Sequence, residues 1–157
     1  MRIGHGFDLH RLVAGRVLRL GGVVVPFEAG LLGHSDGDAV LHAIADALLG
    51  ALAEGDLGRH FPDSDPQNQD RDSADFVRSA MRRVQARGYA VGNLDVTIHA
   101  ERPKLAPYIA AMRARVAELL ALDVDRISIK AKTMEGLDAV GRGEAIAATA
   151  VVLIIPN

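Results

Sequence analysis

The chain has 157 residues, a formal net charge of −2 and no cysteine. Its length is that of one domain, and residues 1–157 are expected to form one; at this size roughly 70% of the unfolded surface is buried and no staples are needed. The charge argues against a nucleic-acid or anionic-membrane partner held by bulk electrostatics, and the missing cysteines exclude disulfides and thiolate ligands, so a metal here must be held by His, Asp or Glu.

No signal-peptide pattern follows Met1, and the longest nearly uncharged run, Ala145 to Pro156, is too short to cross a bilayer. A soluble, cytoplasmic protein is expected. Ile3 to Leu12 reads as a first strand, and Val17 to Phe27, apolar and β-branched around Gly21-Gly22, as a strand or a hairpin arm with a bulge. From Asp38 to Leu52 the spacing of Leu41, Ile44, Ala45, Leu48 and Leu52 predicts a helix. Glu54 to Asp72 has almost no apolar periodicity and is expected to be a long, functional loop. A second helix is expected over 72–87, capped by Asp72 or Ser73 and ended at Gly88, with Phe76, Val77, Ala80, Met81 and Val84 buried. Val91 to Ala100 alternates, with Leu94, Val96 and Ile98 on one face and Asp95, Thr97 and His99 on the other. A third helix has Pro107 near its first turn, and Ile127 to Thr133 and Ala145 to Ile155 close the chain as strands.

The last strand is apolar on both faces, so it needs a layer on each side. Three helices can cover one side, and another copy of the chain is the simplest cover for the other. The order predicts an α+β, two-layer domain with a mixed sheet of about four strands, three helices on one face, and a homo-oligomeric assembly.

Two segments offer metal chemistry. Residues two apart on a strand share a face, so Asp8 and His10 converge, although a hydrogen-bonded surface pair is the plainer reading of Asp-x-His. His34-Ser35-Asp36-Gly37-Asp38 leads into the helix carrying His42 and Asp46. Asp38, His42 and Asp46 lie four apart on one stripe, where a carboxylate can orient the imidazole, or where all three are a solvated face. Asp8, His10 and His42 together make a three-ligand set with an open fourth position, as in catalytic zinc sites. Non-haem iron is the other occupant of such a set, but its usual jelly-roll barrels need more strands. Lys104 near a helix start can receive a phosphate. Thr133 can donate to an anionic oxygen, and Glu135 can hold a hard cation beside a diphosphate.

Taken together, Arg2-Ile3-Gly4-His5-Gly6-Phe7-Asp8-Leu9-His10, the stretch from Gly33-His34-Ser35-Asp36-Gly37-Asp38 through His42 to Gly50, Asp56-Leu57-Gly58, Phe61-Pro62-Asp63-Ser64-Asp65, Pro103-Lys104-Leu105 and Gly141-Arg142-Gly143-Glu144 resemble the 2-C-methyl-D-erythritol 2,4-cyclodiphosphate synthases over the whole chain. The resemblance implies a homotrimer whose sheets pack around the trimer axis, with three sites between neighbouring subunits. It implies zinc, or another divalent cation, on Asp8, His10 and His42, and magnesium or manganese on Glu135. His34 and Thr133 would stabilise the transition state, with Ser35 beside His34. Asp56, Gly58, Phe61, Pro62, Asp63, Ser64 and Asp65 would line the erythritol pocket. Ala100, Lys104, Leu105, Ala131, Lys132 and Thr133 of an adjacent subunit would cradle the cytidine. An isoprenoid diphosphate is a candidate occupant of the trimer channel near Arg142. The implied reaction is intramolecular attack of a 2-phosphate on a β-phosphorus, with CMP leaving. Lys132-Thr133-Met134 and Asp138-Ala139-Val140 depart from the threonine run and the Gly-Phe pair common in that family. The rivals are a zinc phosphohydrolase using bound water and a non-catalytic trimer with a structural metal.

Overall fold

In the computed structural model, which describes residues 1–62, 65 and 68–157, the first strand β1 covers Arg2–Ala14. Three short strands follow, β2 (Leu18–Leu20), β3 (Val23–Val25) and β4 (Ala29–Leu31), then helix α1 (Ala39–Ala51) and the single turn α2 (Leu57–His60). Helix α3 spans Ser73–Ala86, strand β5 Tyr89–His99, helix α4 Ile109–Leu120, strand β6 Ile127–Lys132, the single turn α5 Asp138–Gly141 and strand β7 Ala145–Pro156. One sheet runs in the order β4-β1-β7-β5-β6, with only β5 and β6 parallel; β2 and β3 form a separate pair.

The expected α+β architecture stands, with one strand more in the sheet than the apolar alternation announced. That strand, β4, has three residues and pairs Leu12 to Leu31, too little for a period to show. The segment around Gly21-Gly22 is a hairpin: Leu20 faces Val23, and both glycines take positive φ, 60° and 75°, as a two-residue turn of the right twist requires.

Helix α1 lies directly on the bare backbone of β1. A Cβ at Gly4 would sit 1.8 Å from the carbonyl oxygen of Ala47, and one at Gly6 would sit 2.0 Å from that of Ala43. Glycine facing alanine is what lets the helix come this close, and Ala43, Ile44, Ala47 and Leu48 are fully buried there. Asp38 fixes the start of α1. It is wholly buried and accepts from the amides of Val40 and Leu41 in the helix and of Gly21 and Gly22 in the hairpin, between 2.6 and 3.1 Å. Burial pushes its carboxyl up, and those amides pull the other way.

Most of the sheet face away from α1 is not covered by its own chain; α5 covers only the end at Ala145 and Ala147. Ile3, Phe7 and Leu9 of β1 and Val151 of β7 are 71%, 54%, 49% and 42% exposed, while Ile146, Ala148, Ala150, Val152 and Ile154, pointing to the helices, are buried. Both parities of β7 are therefore apolar, as the sequence suggested; the second is buried only at the start of the strand, where Ala145 and Ala147 pack with Val140 of α5, and is open at Val151. No helix among the described residues is long and apolar enough to cross a membrane.

Candidate active site

Because α1 sits so close to β1, His42 in its second turn meets the face of β1 that carries Asp8 and His10. His10 Nε2 lies 2.7 Å from Asp8 Oδ2 and 3.1 Å from His42 Nδ1, and His42 Nδ1 lies 2.9 Å from the same Asp8 oxygen. The other nitrogen of each ring is occupied elsewhere. His10 Nδ1–H donates to the Leu32 carbonyl at 2.6 Å. His42 Nε2 lies 3.0 Å from Ser35 Oγ and 2.9 Å from Ser73 Oγ. Ser73 gives its own hydroxyl proton to Asp36, so its oxygen can only accept from the ring.

With both outer nitrogens protonated, two imidazole lone pairs and a carboxylate oxygen face one point. Such an arrangement is repulsive until a cation or a proton sits there. Metal–ligand bonds of about 2.0–2.1 Å place tetrahedral donors roughly 3.3 Å apart, close to the spacing found, so the donor set fits a divalent metal. The three residues form the candidate metal cluster among the described residues. When protons rather than a metal occupy that point, burial pushes the Asp8 carboxyl up, but the hydrogen bonds and positive charge of His10 and His42 together outweigh it and hold it well below the usual carboxylate range. Burial lowers His10, and the hydrogen bond and charge of Asp8 with the Leu32 carbonyl together outweigh it, so its net shift is upward.

The orienting role suggested for Asp38 and Asp46 is not what the structure shows. Asp38 is consumed by four backbone amides, and Asp46 accepts from the amide of Leu57 at 2.7 Å, pinning the start of α2 to α1. The stripe spacing was right, but each carboxylate found a nearer backbone donor.

The triad opens onto a cavity of about 660 Å³. His34, Ser35, Asp56, Gly58 and Phe61, named as site residues by the resemblance, line it; Leu32, Gly33, Asp46, Leu57, Asn68 and Phe76 line it as well. Asp56 caps α2 by accepting from the Arg59 amide at 3.0 Å. Phe76 was legible only as part of a buried helical stripe, yet its ring stands 5.6 Å from that of His42. Pro62 and Asp65 are joined by a 3.0 Å backbone hydrogen bond beside the cavity-lining segment. Asp63 and Ser64 lie outside the described residues.

A second group gathers where β5 and β6 end. The Ala100 amide donates to the Lys132 carbonyl at 2.9 Å, and the Met134 amide to Glu101 Oε2 at 3.2 Å, which ties the segment that leads to Lys104 and Leu105 to the one that carries Ala131, Lys132 and Thr133. Thr133 Oγ1 donates to Glu135 Oε1 at 2.7 Å. Leu105 is buried; Lys104, Lys132, Thr133 and Glu135 are exposed and do not line the cavity of the triad. Arg142 is exposed and pairs with Glu144 at 2.8 Å.

Residues 1–155 match the YgbB family. The chain is 60% identical over 157 residues, covering 100% of both chains, to a 2-C-methyl-D-erythritol 2,4-cyclodiphosphate synthase from Trichlorobacter lovleyi. The chain belongs to this synthase family. It is also 53% identical to the synthase of Halalkalibacterium halodurans, with 99% of each chain covered. A solved cyclodiphosphate synthase in its CDP-bound form shares 45% identity with a TM-score of 0.91, over 98% of this chain and 100% of that one. The Plasmodium falciparum IspF–CDP complex shares 35% identity with a TM-score of 0.88, over 99% and 96% of the two chains. The resemblance read from the motifs thus holds over the full length, and nothing in these relatives favours a phosphohydrolase or a structural-metal trimer.

Proposed function

We propose that this family member converts 4-diphosphocytidyl-2-C-methyl-D-erythritol 2-phosphate into 2-C-methyl-D-erythritol 2,4-cyclodiphosphate and CMP, as a metal-dependent, cyclising phosphorus–oxygen lyase of the non-mevalonate isoprenoid precursor pathway. The observation that carries this is the convergence of Asp8, His10 and His42 at one point on a cavity wall, in a chain 60% identical to a synthase of that name. A 2-phosphate oxygen attacks the β-phosphorus; the bond from that phosphorus to the oxygen bridging to the α-phosphorus breaks, and CMP leaves with that oxygen. Nucleophile and electrophile belong to one molecule, so the protein need supply no nucleophile of its own. It must fold the substrate and meet its clustered charge.

Asp8, His10 and His42 would hold zinc, and Glu135 magnesium or manganese. A cation at each place supplies positive charge to the phosphate oxygens and orients them. His34, on the cavity wall, and Thr133 would donate to the oxygens on which charge develops. Asp56, Gly58, Phe61 and the residues that follow would border the erythritol. The exposed group from Ala100 to Leu105 and from Ala131 to Glu135 would clamp the cytidine diphosphate of a neighbouring subunit's site.

The assembly proposed is a homotrimer built on the apolar face of Ile3, Phe7, Leu9, Val151 and Leu153, with the chain acting as one cytoplasmic domain. Arg142, beyond the end of α5, would meet an anionic isoprenoid diphosphate in the trimer channel. Support for an assembly is that Ile3, Phe7, Leu9 and Val151 stand exposed together on one sheet face, and apolar patches of this kind often mark interfaces.

Incubating the purified protein with substrate, zinc and magnesium and following the products by phosphorus NMR tests this reading. Cyclic diphosphate and CMP in equal amounts, absent in His42→Ala, are expected. Linear products with free phosphate would overturn it in favour of hydrolysis.

A further inference from the structure

Beyond His42 lies a buried polar string that no sequence motif joins. Ser73, the first residue of α3, is fully buried, and its hydroxyl donates to Asp36 Oδ1 while its amide donates to Asp36 Oδ2 at 3.2 Å. Its oxygen faces His42 Nε2 at 2.9 Å. Ser35 Oγ faces the same nitrogen at 3.0 Å, but its other partners are the Gly37 amide and Ser73, and no carboxylate among the described residues takes a hydrogen bond from it. The two serines therefore differ. Ser73 has its proton committed and can only accept, whereas Ser35 can turn its hydroxyl either way.

That difference matters because Asp8 Oδ2 lies 2.9 Å from His42 Nδ1. In the metal-free protein that oxygen draws the ring proton to Nδ1, which is the tautomer unable to bind a cation there. Something must oppose it. We propose that Asp36 and Ser73 form a positioning relay for His42, in which the carboxylate takes the serine proton so that the serine oxygen holds the ring as the Nε2–H tautomer, with its Nδ1 lone pair aimed between Asp8 and His10. The inference rests on the triad being a metal centre, and it adds two residues that touch neither metal nor substrate. Outer partners of this kind are what fix the tautomer and basicity of a metal-bound imidazole.

The relay also joins distant parts of the chain. Asp36 precedes α1, and Ser73 heads α3 after the segment bordering the cavity. The Asp36 amide donates to the Arg71 carbonyl at 3.1 Å, and the Asp70 amide to the His34 carbonyl at 2.6 Å. The wall that carries His34 and the ligand His42 are thereby held by one set of bonds.

The test uses the metal-free full chain with nitrogen-15 histidine, together with zinc competition against a chromophoric chelator. Long-range proton–nitrogen spectra of the wild type should show His42 as Nε2–H. In Ser73→Ala, Ser35 is free to donate, and the pattern should move to Nδ1–H, with zinc bound about 10–100-fold more weakly. Asp36→Asn, which keeps an acceptor but removes the charge, should move both readings the same way, and it serves if Ser73→Ala does not fold by circular dichroism. An unchanged tautomer and unchanged zinc affinity in the folded variants would overturn the relay, as would an Nδ1–H ring in the wild type. If the wild type takes up no zinc, the metal-centre reading falls, while the tautomer comparison still decides whether the relay exists.

Discussion

Asp8, His10 and His42 are held on every side by their own chain, whereas Lys132, Thr133 and Glu135, at the same end of the same sheet, stand exposed. The register makes the comparison direct: Leu9 of β1 pairs with Ala147, Ala147 with His99, and His99 with Lys132. The first group points to the helix-covered face and is clamped by α1, the Leu32 carbonyl and the buried serines. The second sits where β6 runs out, tied by a few backbone hydrogen bonds. A ligand set must be immobile before its ion arrives, so the chain supplies all its supports. A clamp for a flexible nucleotide can take its second wall from a neighbouring copy, which in the assembly proposed above would stand on the uncovered apolar face.

Breaking the first region should have the largest effect. His42→Ala removes one of three donors and, with it, several kcal/mol of charge stabilisation. That predicts a loss of about a thousandfold or more in cyclic diphosphate formation, read by phosphorus NMR, with little change in the urea midpoint. Next comes the contact that brings α1 down on β1. At Gly6 a methyl group would meet the Ala43 carbonyl oxygen at 2.0 Å, and backbone cannot turn aside as a side chain can. Gly6→Ala should cost about 3 kcal/mol of folding stability by urea denaturation. A variant with the wild-type midpoint would show that the support of the triad is softer than argued.

These two residues also mark how much could be read beforehand. Helix periodicity located α1 and α3, and strand alternation located β5 and the shared face of Asp8 and His10, because those signals are local. The meeting of His42 with Asp8, 34 positions earlier, rested on ligand chemistry and the family motif, not on any local period. It depends on two glycines opposite two alanines, which no period reports. Asp38 and Asp46 show the opposite failure. Their spacing from His42 was correct, but a buried carboxylate goes to the nearest unpaired amides, here those of a hairpin turn and two helix starts. The contact between Ser73 and Asp36 carried no signal: they are separated by 37 positions, and Ser73 read simply as a helix cap.

The second region can be tested through the uncovered face without touching the triad. Val151 is 42% exposed and pairs in register with Asp95, so a lysine there is tolerated by the isolated chain but places charge where a neighbouring sheet would pack. Val151→Lys should sediment as a monomer, keep its zinc affinity, and lose roughly tenfold or more in turnover, about 1.4 kcal/mol or above. A monomer with full activity would mean that each chain completes its own site.

The smallest effect sharpens the same comparison. Lys130 donates to Asp95 on this face at 2.5 Å and, with Ser128, holds the Asp95 carboxyl below its ordinary range. A carboxyl lowered by folding binds fewer protons folded than unfolded. Its contribution is therefore present above the ordinary value of about 3.9 and is lost as pH falls through that value and past the lowered one. The Asp95 side chain is 49% exposed within the chain, so the pair is worth about 0–1 kcal/mol and is screened by salt. Asp95→Asn should accordingly unfold at slightly lower urea than wild type at neutral pH and at the same urea near pH 2. In the monomeric Val151→Lys background, high salt should erase even the neutral-pH difference. In the wild type the difference should survive salt, because neighbouring sheets would shield the pair from solvent. The contrast between the two backgrounds reads directly whether this face is a surface or an interface.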